Sequence, residues 1–530
     1  MQRIDAACLK EWLHDGGEIA LLDVREHGEY GQAHLFYAVS LPFSRLEKEI
    51  DRLVPRRSCR VVLYDGGKSG IAEKAARRLE SYGYGKVSVL SGGAAAWSEA
   101  GFHLFAGVHV PSKTFGELVE HALPIPGVAA PALRELIEAG GNVVVVDGRP
   151  VDEYRKMNIP GSVCCPNGEL VYRIGQIVSD PETTVVINCA GRTRSIMGTA
   201  ILHGFGIRNR VLALENGTMG WRLAGLELEH GADRLYPAPP EGAPLARLKE
   251  EAARFARRHG VRRVSADAAA QWMRETDRTT FLLDVRTGEE FRAGSVAGAV
   301  PAPGGQLLQA TDLWLGVRNA RVVLVDNDEV RVAVVASWLG RMGWDAHVLE
   351  GGLAAAGDRF SAPGPGCAAK LPSFPLLGVP ALEGLPGDAV IVDARPAMDY
   401  RAGHLRDAIW ATRARLENVL REIDGRPVAV VAADETVARA LAADLAEAGA
   451  AIAGLHLGAP EAWSAAGLTL AVTPELPPDS ECIDYLFFVH DRHAGNLEAA
   501  RQYLAWETGL TGRIDERERA AFPITAEVPL

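Results

Sequence analysis

The chain has 530 residues, of which 48% are hydrophobic and 23% charged, as in ordinary folded proteins. Its 68 acidic and 56 basic side chains give a net charge of −12, which excludes a broadly cationic surface for nucleic acid or anionic membranes. One hydrophobic core does not extend over this length, so we predict several domains.

The seven cysteines are few and odd in number, which is typical of reduced thiols and not of a disulfide framework. The first 25 residues lack the basic and then apolar pattern of a signal peptide. No run reaches the eighteen or so apolar residues of a membrane span. We therefore expect a cytoplasmic protein without membrane contact.

A short apolar run ending in Asp-x-Arg occurs four times, at residues 21–25, 145–149, 282–286 and 391–395. A second apolar run follows each one, at 61–65, 185–189, 322–326 and 428–432. The spans from Asp23 to Asp65, Asp147 to Cys189 and Asp284 to Asp326 are each 42 residues, and that from Asp393 to Ala432 is 39. A Gly-rich turn then recurs at 90–97, 214–221, 349–356 and 456–463. This order and spacing predict four copies of one unit.

The apolar runs lack polar alternation, which is typical of strands buried on both faces of a parallel sheet. Helical stretches lie between them, for example 70–83 and 195–206. The predicted fold class is therefore α/β, with four tandem parallel sheets, each flanked by helices on both faces. Ligands bind such sheets beyond the carboxyl ends of the strands, where each second run stops.

Breaks in the pattern predict the domain boundaries. Residues 107–127 join the first two repeats, and a Pro-rich and then helical stretch, 236–260, is expected to separate two halves of the chain. The predicted domains are repeat 1 (1–106), repeat 2 (107–235), a linker with repeat 3 (236–372), repeat 4 (373–473) and a C-terminal tail (474–530).

The four loops after the second runs differ in chemistry. They read DGGKSG (65–70), CAGRTRS (189–195), DNDEVR (326–331) and AADETV (432–437). The second loop alone combines a thiol with two arginines, Arg192 and Arg194. With Cys189 ending a strand and Ser195 opening a helix, the backbone N–H groups between them would form an anion cradle. This setting favours the thiolate form of Cys189, which we predict to be the nucleophile.

The Asp-x-Arg strand, the CAGRTRS loop and the Gly-rich turn with Trp221 resemble the rhodanese superfamily over nearly all of residues 1–473. Within it, the chain resembles bacterial thiosulfate sulfurtransferases with four rhodanese domains, and residues 485–507 resemble the C-terminus of that group. The resemblance implies a persulfide on Cys189 and no cofactor or metal. It implies that a donor such as thiosulfate is held by the loop residues, and that cyanide, sulfite or a thiol accepts the sulfur. The loop residues are Ala190, Gly191, Arg192, Thr193, Arg194 and Ser195.

Three copies depart from that pattern, because Asp65, Asp326 and Ala432 stand where the cysteine would be. A carboxylate or a methyl group cannot accept sulfane sulfur, so repeats 1, 3 and 4 should be silent. We expect repeats 1 and 2 to form one pair, as in two-domain rhodaneses, and repeats 3 and 4 to form another.

Other residues have competing interpretations. Cys164 and Cys165 would be a resolving thiol or, as we favour, packing residues. Asp147 and Arg149 recur in every repeat and are expected to form a structural salt bridge. Arg173 is a candidate pocket residue or a surface residue. The HDRH run (490–493) favours a solvated loop over a metal site.

Two other functions stay open at this stage. A cysteine phosphatase or arsenate reductase on the same fold also needs a thiolate in an anion cradle, but related phosphatases carry Cys-x5-Arg, and Cys189 to Arg194 is Cys-x4-Arg. A binding or scaffold protein is the other alternative, in which the silent repeats cover the pocket or recruit an acceptor.

Overall fold

A computed structural model describes residues 1–487 and 496–524. The HDRH run lies outside the described residues. All seven cysteines are free thiols. Among the helices that the structure describes, none is both long and apolar enough to cross a membrane.

Repeats 1, 2 and 3 each contain a five-stranded parallel sheet, which confirms the predicted α/β class. The strands lie in the order first, fifth, fourth, second, third. In repeat 1 they are Gln2–Ile4, Ala20–Asp23, Val39–Ser40, Arg60–Tyr64 and Lys86–Leu90. In repeat 2 they are Gly127–Val128, Val143–Asp147, Val163–Cys164, Thr184–Asn188 and Val211–Leu214. In repeat 3 they are Arg262–Val264, Thr280–Asp284, Val300–Pro301, Arg321–Val325 and Asp345–Leu349.

Repeat 4 is a shortened version of the same sheet. Its parallel strands are Val390–Asp393, Ile409–Trp410, Val428–Ala432 and Ile452–Leu457, and His404–Leu405 pairs antiparallel with Leu470–Ala471. The position of the first strand is reduced to a single parallel bridge between Leu376 and Leu455.

Helices flank every sheet, and their bounds follow the predicted alternation with the strands. Repeat 1 has Ala6–Trp12, His27–Gln32, Leu46–Leu53, Ile71–Ser81 and Gly93–Glu99, followed by Val110–Ala122. Repeat 2 has Ala130–Glu138, Val151–Lys156, Leu170–Ile177, Thr193–Phe205 and Gly217–Leu223, followed by Gly242–Arg258. Repeat 3 has Ala266–Arg274, Gly288–Ala293, Gly304–Gln309, Arg331–Arg341 and Gly352–Ala356. Repeat 4 has Val379–Glu383, Ala397–Ala402, Glu417–Ile423, Glu435–Glu447 and Pro460–Ala465, and the tail has Leu497–Thr508 and Glu516–Ala520. Short 3₁₀ helices are Phe43–Arg45, Asn167–Glu169, Thr311–Leu313, Gly357–Arg359, Cys367–Lys370 and Leu510–Gly512.

The chain divides into two compact units that do not follow the expected pairing. One unit contains residues 1–15, 19–107 and 363–487, so repeat 1 packs with repeat 4. The other contains residues 16–18 and 108–362 with the described residues from 496 onward, so repeat 2 packs with repeat 3 and the tail. The prediction that repeats 1 and 2 pair, and likewise 3 and 4, is therefore wrong.

Buried ion pairs explain the observed pairing in the first unit. Arg413 of repeat 4 is almost fully buried and pairs with Glu47 of repeat 1 at 2.6 Å. It also pairs with Asp444, which accepts from Lys74 of repeat 1 at 3.0 Å. A buried charge without its partner costs several kcal/mol, on the order of 3–5 kcal/mol in measured cases, so these residues specify which repeats meet.

In the second unit, Arg331 of repeat 3 pairs with Glu169 of repeat 2 at 2.9 Å. The helix Gly242–Arg258 was expected to separate two halves of the chain, but it belongs to this unit. Its Phe255 ring lies 5.8 Å from that of Phe205, at the end of the helix Thr193–Phe205. It therefore supports the helix that follows the predicted catalytic loop.

Candidate active site

Cys189 directly follows the strand Thr184–Asn188, whose last four residues are buried, and is itself only 2% exposed. The next helix begins at Thr193, two residues before the predicted start at Ser195. The hydroxyl of Ser195 donates to the carbonyl of Arg192 at 2.8 Å. The strand end, the loop and the helix N-terminus therefore stand in the predicted order, with a tighter loop than the sequence indicated.

The Gly-rich turn fixes the end of this strand. Thr218 N–H donates to the Cys189 carbonyl at 2.8 Å, and Met219 N–H donates to that of Ala190 at 3.1 Å. Gly217 has a φ of +53°, and a Cβ there would collide with the Cys189 carbonyl oxygen. Glycine is required here both for the left-handed backbone and for the close approach.

A cavity of about 210 Å³ opens at the loop. Five of the predicted loop residues line it: Cys189, Ala190, Gly191, Thr193 and Arg194. The other three predicted site residues are not among the described residues that line the cavity: Arg192, Ser195 and Arg173.

Glu153, the partner of Arg194, also lines the cavity. The rest of the wall comes from other parts of the chain. Three residues lie before the first strand of repeat 2: Val108, His109 and Lys113. Four belong to repeat 3, namely Gln306, Gln309, Ala310 and Leu313, and Tyr503 and Trp506 lie on the tail helix. None of these residues belongs to a recurring motif, so the sequence pattern did not indicate them. The helical pattern of 497–507 was visible, but nothing in it pointed to the loop.

Gly191 is required for a reason other than the predicted one. Its φ is not in the left-handed region, but a Cβ at this position would lie 2.8 Å from Met219 Cε and 3.0 Å from Glu507 Oε2. A larger residue at position 191 would therefore require the side chains of Met219 and of Glu507 on the tail helix to shift.

Arg192 points away from the cavity wall and fastens the loop to the helix Val110–Ala122. Its guanidinium donates to Glu117 at 2.9 and 3.0 Å and also contacts Glu120. Burial raises the pKa of Glu117, and Arg192 opposes that rise. The positive charge of Arg192 is thus compensated by carboxylates.

Arg194 makes a two-pronged contact with Glu153, with both N–O distances at 2.8 Å. The same contact recurs in repeat 3, where Arg331 donates to Glu290 at 2.8 and 2.9 Å. Arg194 and Arg331 stand five residues after Cys189 and Asp326, respectively. Because the pair also exists in a repeat without a thiol, it belongs to the structure of the loop.

The silent loop of repeat 3 is an anion cradle filled by its own side chain. Asp326 Oδ1 accepts from the N–H groups of Asp328 and Glu329 at 3.2 and 2.7 Å. Its Oδ2 accepts from those of Arg331 and Val332 at 3.0 and 3.3 Å. Burial raises the pKa of Asp326, whereas Arg331 and these N–H groups oppose the rise. Since both oxygens already accept, the ionised carboxylate fits this loop.

Repeat 1 follows the same scheme. Asp65 accepts from Gly67 N–H at 2.7 Å, from Ala72 N–H at 3.3 Å and from the Ser69 hydroxyl at 2.5 Å. In the silent loops of repeats 1 and 3, a carboxylate at the cysteine position therefore accepts hydrogen bonds from backbone N–H groups of the loop.

The remaining candidates are structural. Arg149 and Asp147 are fully buried and pair at 2.7 Å, and the equivalent pair occurs in every repeat, which confirms the predicted salt bridge. Arg173 is buried, pairs with Glu169 at 2.9 Å and donates to the Pro237 carbonyl at 2.8 Å.

Cys164 and Cys165 are fully buried, outside the described lining of the cavity. Burial raises the pKa of Cys164 to about 12 and also raises the pKa of Cys165. Since the thiolate is the reactive form, these environments favour packing over a resolving role.

The chain is similar to known proteins over different parts of its length. A crystal structure of a thiosulfate sulfurtransferase from Pseudomonas aeruginosa is 39% identical and superposes with a TM-score of 0.90, covering 99% of each chain. An HTH-type transcriptional regulator of Mycobacterium tuberculosis is 34% identical over 92 residues, which are 17% of this chain and 40% of the regulator. The chain thus spans less than half the length of that curated relative.

The sequence profile of the rhodanese-like domain matches residues 5–100, 129–224 and 265–357. These ranges correspond to repeats 1, 2 and 3, and together they make up more than half of the chain. With these matches, three five-stranded sheets of one topology and a solved structure that is similar over 99% of the chain, this chain belongs to the rhodanese-like domain family.

Proposed function

We propose that the chain is a thiosulfate sulfurtransferase that carries sulfur as a persulfide on Cys189. The observation that carries the proposal is the contrast between the loops. Asp65 and Asp326 fill their own cradles, whereas repeat 2 places a thiol there beside a cavity of about 210 Å³. The full-length similarity to a thiosulfate sulfurtransferase supports the same reaction.

In the first step, the Cys189 thiolate attacks the outer sulfur of thiosulfate. A new S–S bond forms to Cys189, the S–S bond of thiosulfate breaks, and sulfite leaves with the bonding electron pair. In the second step, cyanide, sulfite or a thiol attacks the outer persulfide sulfur, and the Cys189 thiolate leaves with its electron pair. This covalent route predicts ping-pong kinetics.

The loop supplies the electrostatic part of the mechanism. By position, the N–H groups of Gly191, Arg192, Arg194 and Ser195 correspond to the four that bind Asp326. They would hold the anionic donor and then the persulfide, since N–H groups at a helix N-terminus favour negative charge. In this proposal Arg194 faces the donor and Arg192 shapes the loop.

The test is sulfite release from thiosulfate with cyanide as the acceptor. We expect turnover in the unmodified chain and loss of it in Cys189→Ser, with Cys8→Ser in repeat 1 as the matched thiol control that retains it. Mass spectrometry after thiosulfate alone should show one added sulfur on Cys189. Turnover in Cys189→Ser, or hydrolysis of a phosphate ester faster than sulfur transfer, would contradict the proposal.

The thiophilic character of the acceptor follows from the chemistry of a persulfide, which cyanide, sulfite or a thiol can attack. The proposed cytoplasmic location is based on the small number of cysteines. Steady-state kinetics with cyanide, sulfite and small thiols would rank the acceptors.

A further inference from the structure

We propose that Lys113, positioned by Glu507 of the tail helix, binds the anionic oxygens of the sulfur donor and gives the site its preference for a dianion. The inference rests on the proposed function. It assigns donor binding to Lys113 and the positioning of Lys113 to Glu507, which lie outside the recurring motifs on the helices Val110–Ala122 and Leu497–Thr508.

The charged side chains and the histidine that line the cavity, within the described part of the chain, all have partners: Arg194, Glu153, His109 and Lys113. Arg194 is held by Glu153, in a pair that repeat 3 reproduces with Arg331 and Glu290. His109 Nδ1 lies 2.9 Å from Asp312 Oδ1 of repeat 3. Lys113 lies on the helix Val110–Ala122, outside the recurring motifs, and lines the same cavity as the Cys189 thiol.

Lys113 is held firmly in this position. Its side chain is only 9% exposed, and its Nζ lies 3.1 Å from Glu507 Oε1. The same ammonium lies 5.5 Å from the centre of the Tyr503 ring, within the range of a cation–π contact. A buried ammonium needs such partners to remain charged, and they keep the side chain beside the cavity.

Glu507 connects this lysine to the catalytic loop. Its carboxylate is fully buried and also accepts from the Thr193 hydroxyl at 2.6 Å, at the first residue of the loop helix. Its Oε2 lies where a Cβ on Gly191 would approach to 3.0 Å. Glu507 is therefore a positioning residue, which fixes Lys113 and the loop relative to each other.

The chemistry of the pair favours a compact dianion. A lysine ammonium has three N–H donors and acts as a point charge, which suits the oxygens of a sulfonate group. Tyr503 and Trp506 line the same cavity and limit its size. Thiosulfate carries two negative charges, whereas benzenethiosulfonate, which also offers a sulfane sulfur, carries one. Loss of the Lys113 charge should thus weaken the first donor more than the second.

The experiment compares Lys113→Met and Lys113→Arg in the full chain, with both donors and cyanide as acceptor. We expect Lys113→Met to lower kcat/KM for thiosulfate about 10- to 100-fold, mainly through KM, the usual size of a lost charged hydrogen bond. The same variant should lower kcat/KM for benzenethiosulfonate about threefold or less. Lys113→Arg should recover most of the activity with thiosulfate. Discharge of a preformed persulfide by cyanide should stay within about twofold of the unmodified chain.

Lys74→Met is the matched control. Lys74 also pairs with a fully buried carboxylate, that of Asp444 at 3.0 Å, and lies 5.1 Å from the Phe43 ring centre, but it belongs to the other unit. We expect it to leave kcat/KM for both donors unchanged. If Lys113→Met does not fold because Glu507 is left unpaired, the double variant Lys113→Met/Glu507→Gln removes both charges, and we expect the same selective loss from it.

Equal losses for both donors, or no loss with thiosulfate, would overturn the role of Lys113. An unmodified chain without thiosulfate turnover would instead overturn the proposed function, so the two failures are distinguishable.

Discussion

The loops of repeats 2 and 3 have the same length, the same position in the sheet and the same Arg–Glu pair. They differ in what stands at the centre of the loop, a thiol in repeat 2 and a carboxylate in repeat 3. In repeat 3, the Asp326 carboxylate accepts four backbone N–H groups, at 2.7 to 3.3 Å. In repeat 2, a thiol stands at that place, and a cavity opens in front of it. The silent loops of repeats 1 and 3 are therefore filled sites, in which the protein supplies its own anion.

Arg194 and Lys113 both line the cavity of repeat 2, but they differ in their relation to the repeated loop. Arg194 has a counterpart in Arg331, whereas Lys113 lies on the helix Val110–Ala122, outside the recurring motifs. The loop of repeat 4 has neither a thiol nor a carboxylate at the cysteine position. Ala432 has no carboxylate, and Asp434 instead caps the next helix by accepting from Val437 N–H at 3.1 Å.

The largest effect is expected when the active loop is converted to the silent type. Cys189→Asp should abolish sulfur transfer, by at least about 10⁴-fold, because the nucleophile is lost. It should nevertheless be more stable than Cys189→Ser by about 1–3 kcal/mol, since the new carboxylate can accept the loop N–H groups. Chemical denaturation of the two variants measures the difference. A Cys189→Asp chain less stable than Cys189→Ser would mean that the two loops are not equivalent cradles.

The converse change empties the silent cradle. In Asp326→Asn, the amide NH₂ faces backbone N–H donors and the charge is lost, so the free energy of unfolding should fall by about 3 kcal/mol. Thermal unfolding measures this loss, with Asp267→Asn as an exposed control in the same repeat. Turnover at low temperature should stay within about twofold, because Asp326 is outside the described lining of the cavity. A stability equal to that of the unmodified chain would show that the four N–H contacts are dispensable.

The smallest effect concerns acid stability. Burial of Glu290 disfavours its charged form, but the hydrogen bonds and charge of Arg331 outweigh it and lower the pKa to about 2. A lowered pKa stabilises the fold above the ordinary value near 4.5, and this contribution is lost as the pH falls toward 2. Between pH 6 and 3.5 the loss should be about 1 kcal/mol after allowance for partial exposure.

Urea denaturation at both pH values checks this prediction, with Glu290→Gln expected to show a shallower decrease in unfolding free energy by that amount. Identical slopes for the variant and the unmodified chain would indicate that Arg331 does not hold Glu290 ionised.

Much of the fold followed from periodicity and spacing. The Asp-x-Arg strands and the second apolar runs became buried parallel strands where expected, because short Val, Ile and Leu runs fit only a sheet covered on both faces. Cys189 was identifiable for the same reason, since a residue that ends such a strand faces the site. The structural nature of Asp147 and Arg149 was also predictable, because the pair recurs in silent repeats.

The pairing of repeat 1 with repeat 4 and of repeat 2 with repeat 3 was decided by tertiary structure alone. It depends on buried charges such as Arg413 with Glu47, whose partners are 366 residues apart and belong to no motif. The contacts of Arg192 with Glu117 and Glu120 were also not predictable from the sequence, because the sequence of a loop does not indicate the direction of an arginine side chain.

The sequence by itself thus determined the four sheets, the one thiol loop and the three silent ones, because strand period and strand ends are local properties. Tertiary structure alone decided which segments enclose the thiol. The cavity is lined by Lys113 from the helix before repeat 2, by Gln309 from repeat 3, and by Tyr503 and Trp506 from the tail helix. These contacts depend on packing between elements that are far apart in the chain, and no local sequence pattern encodes such packing.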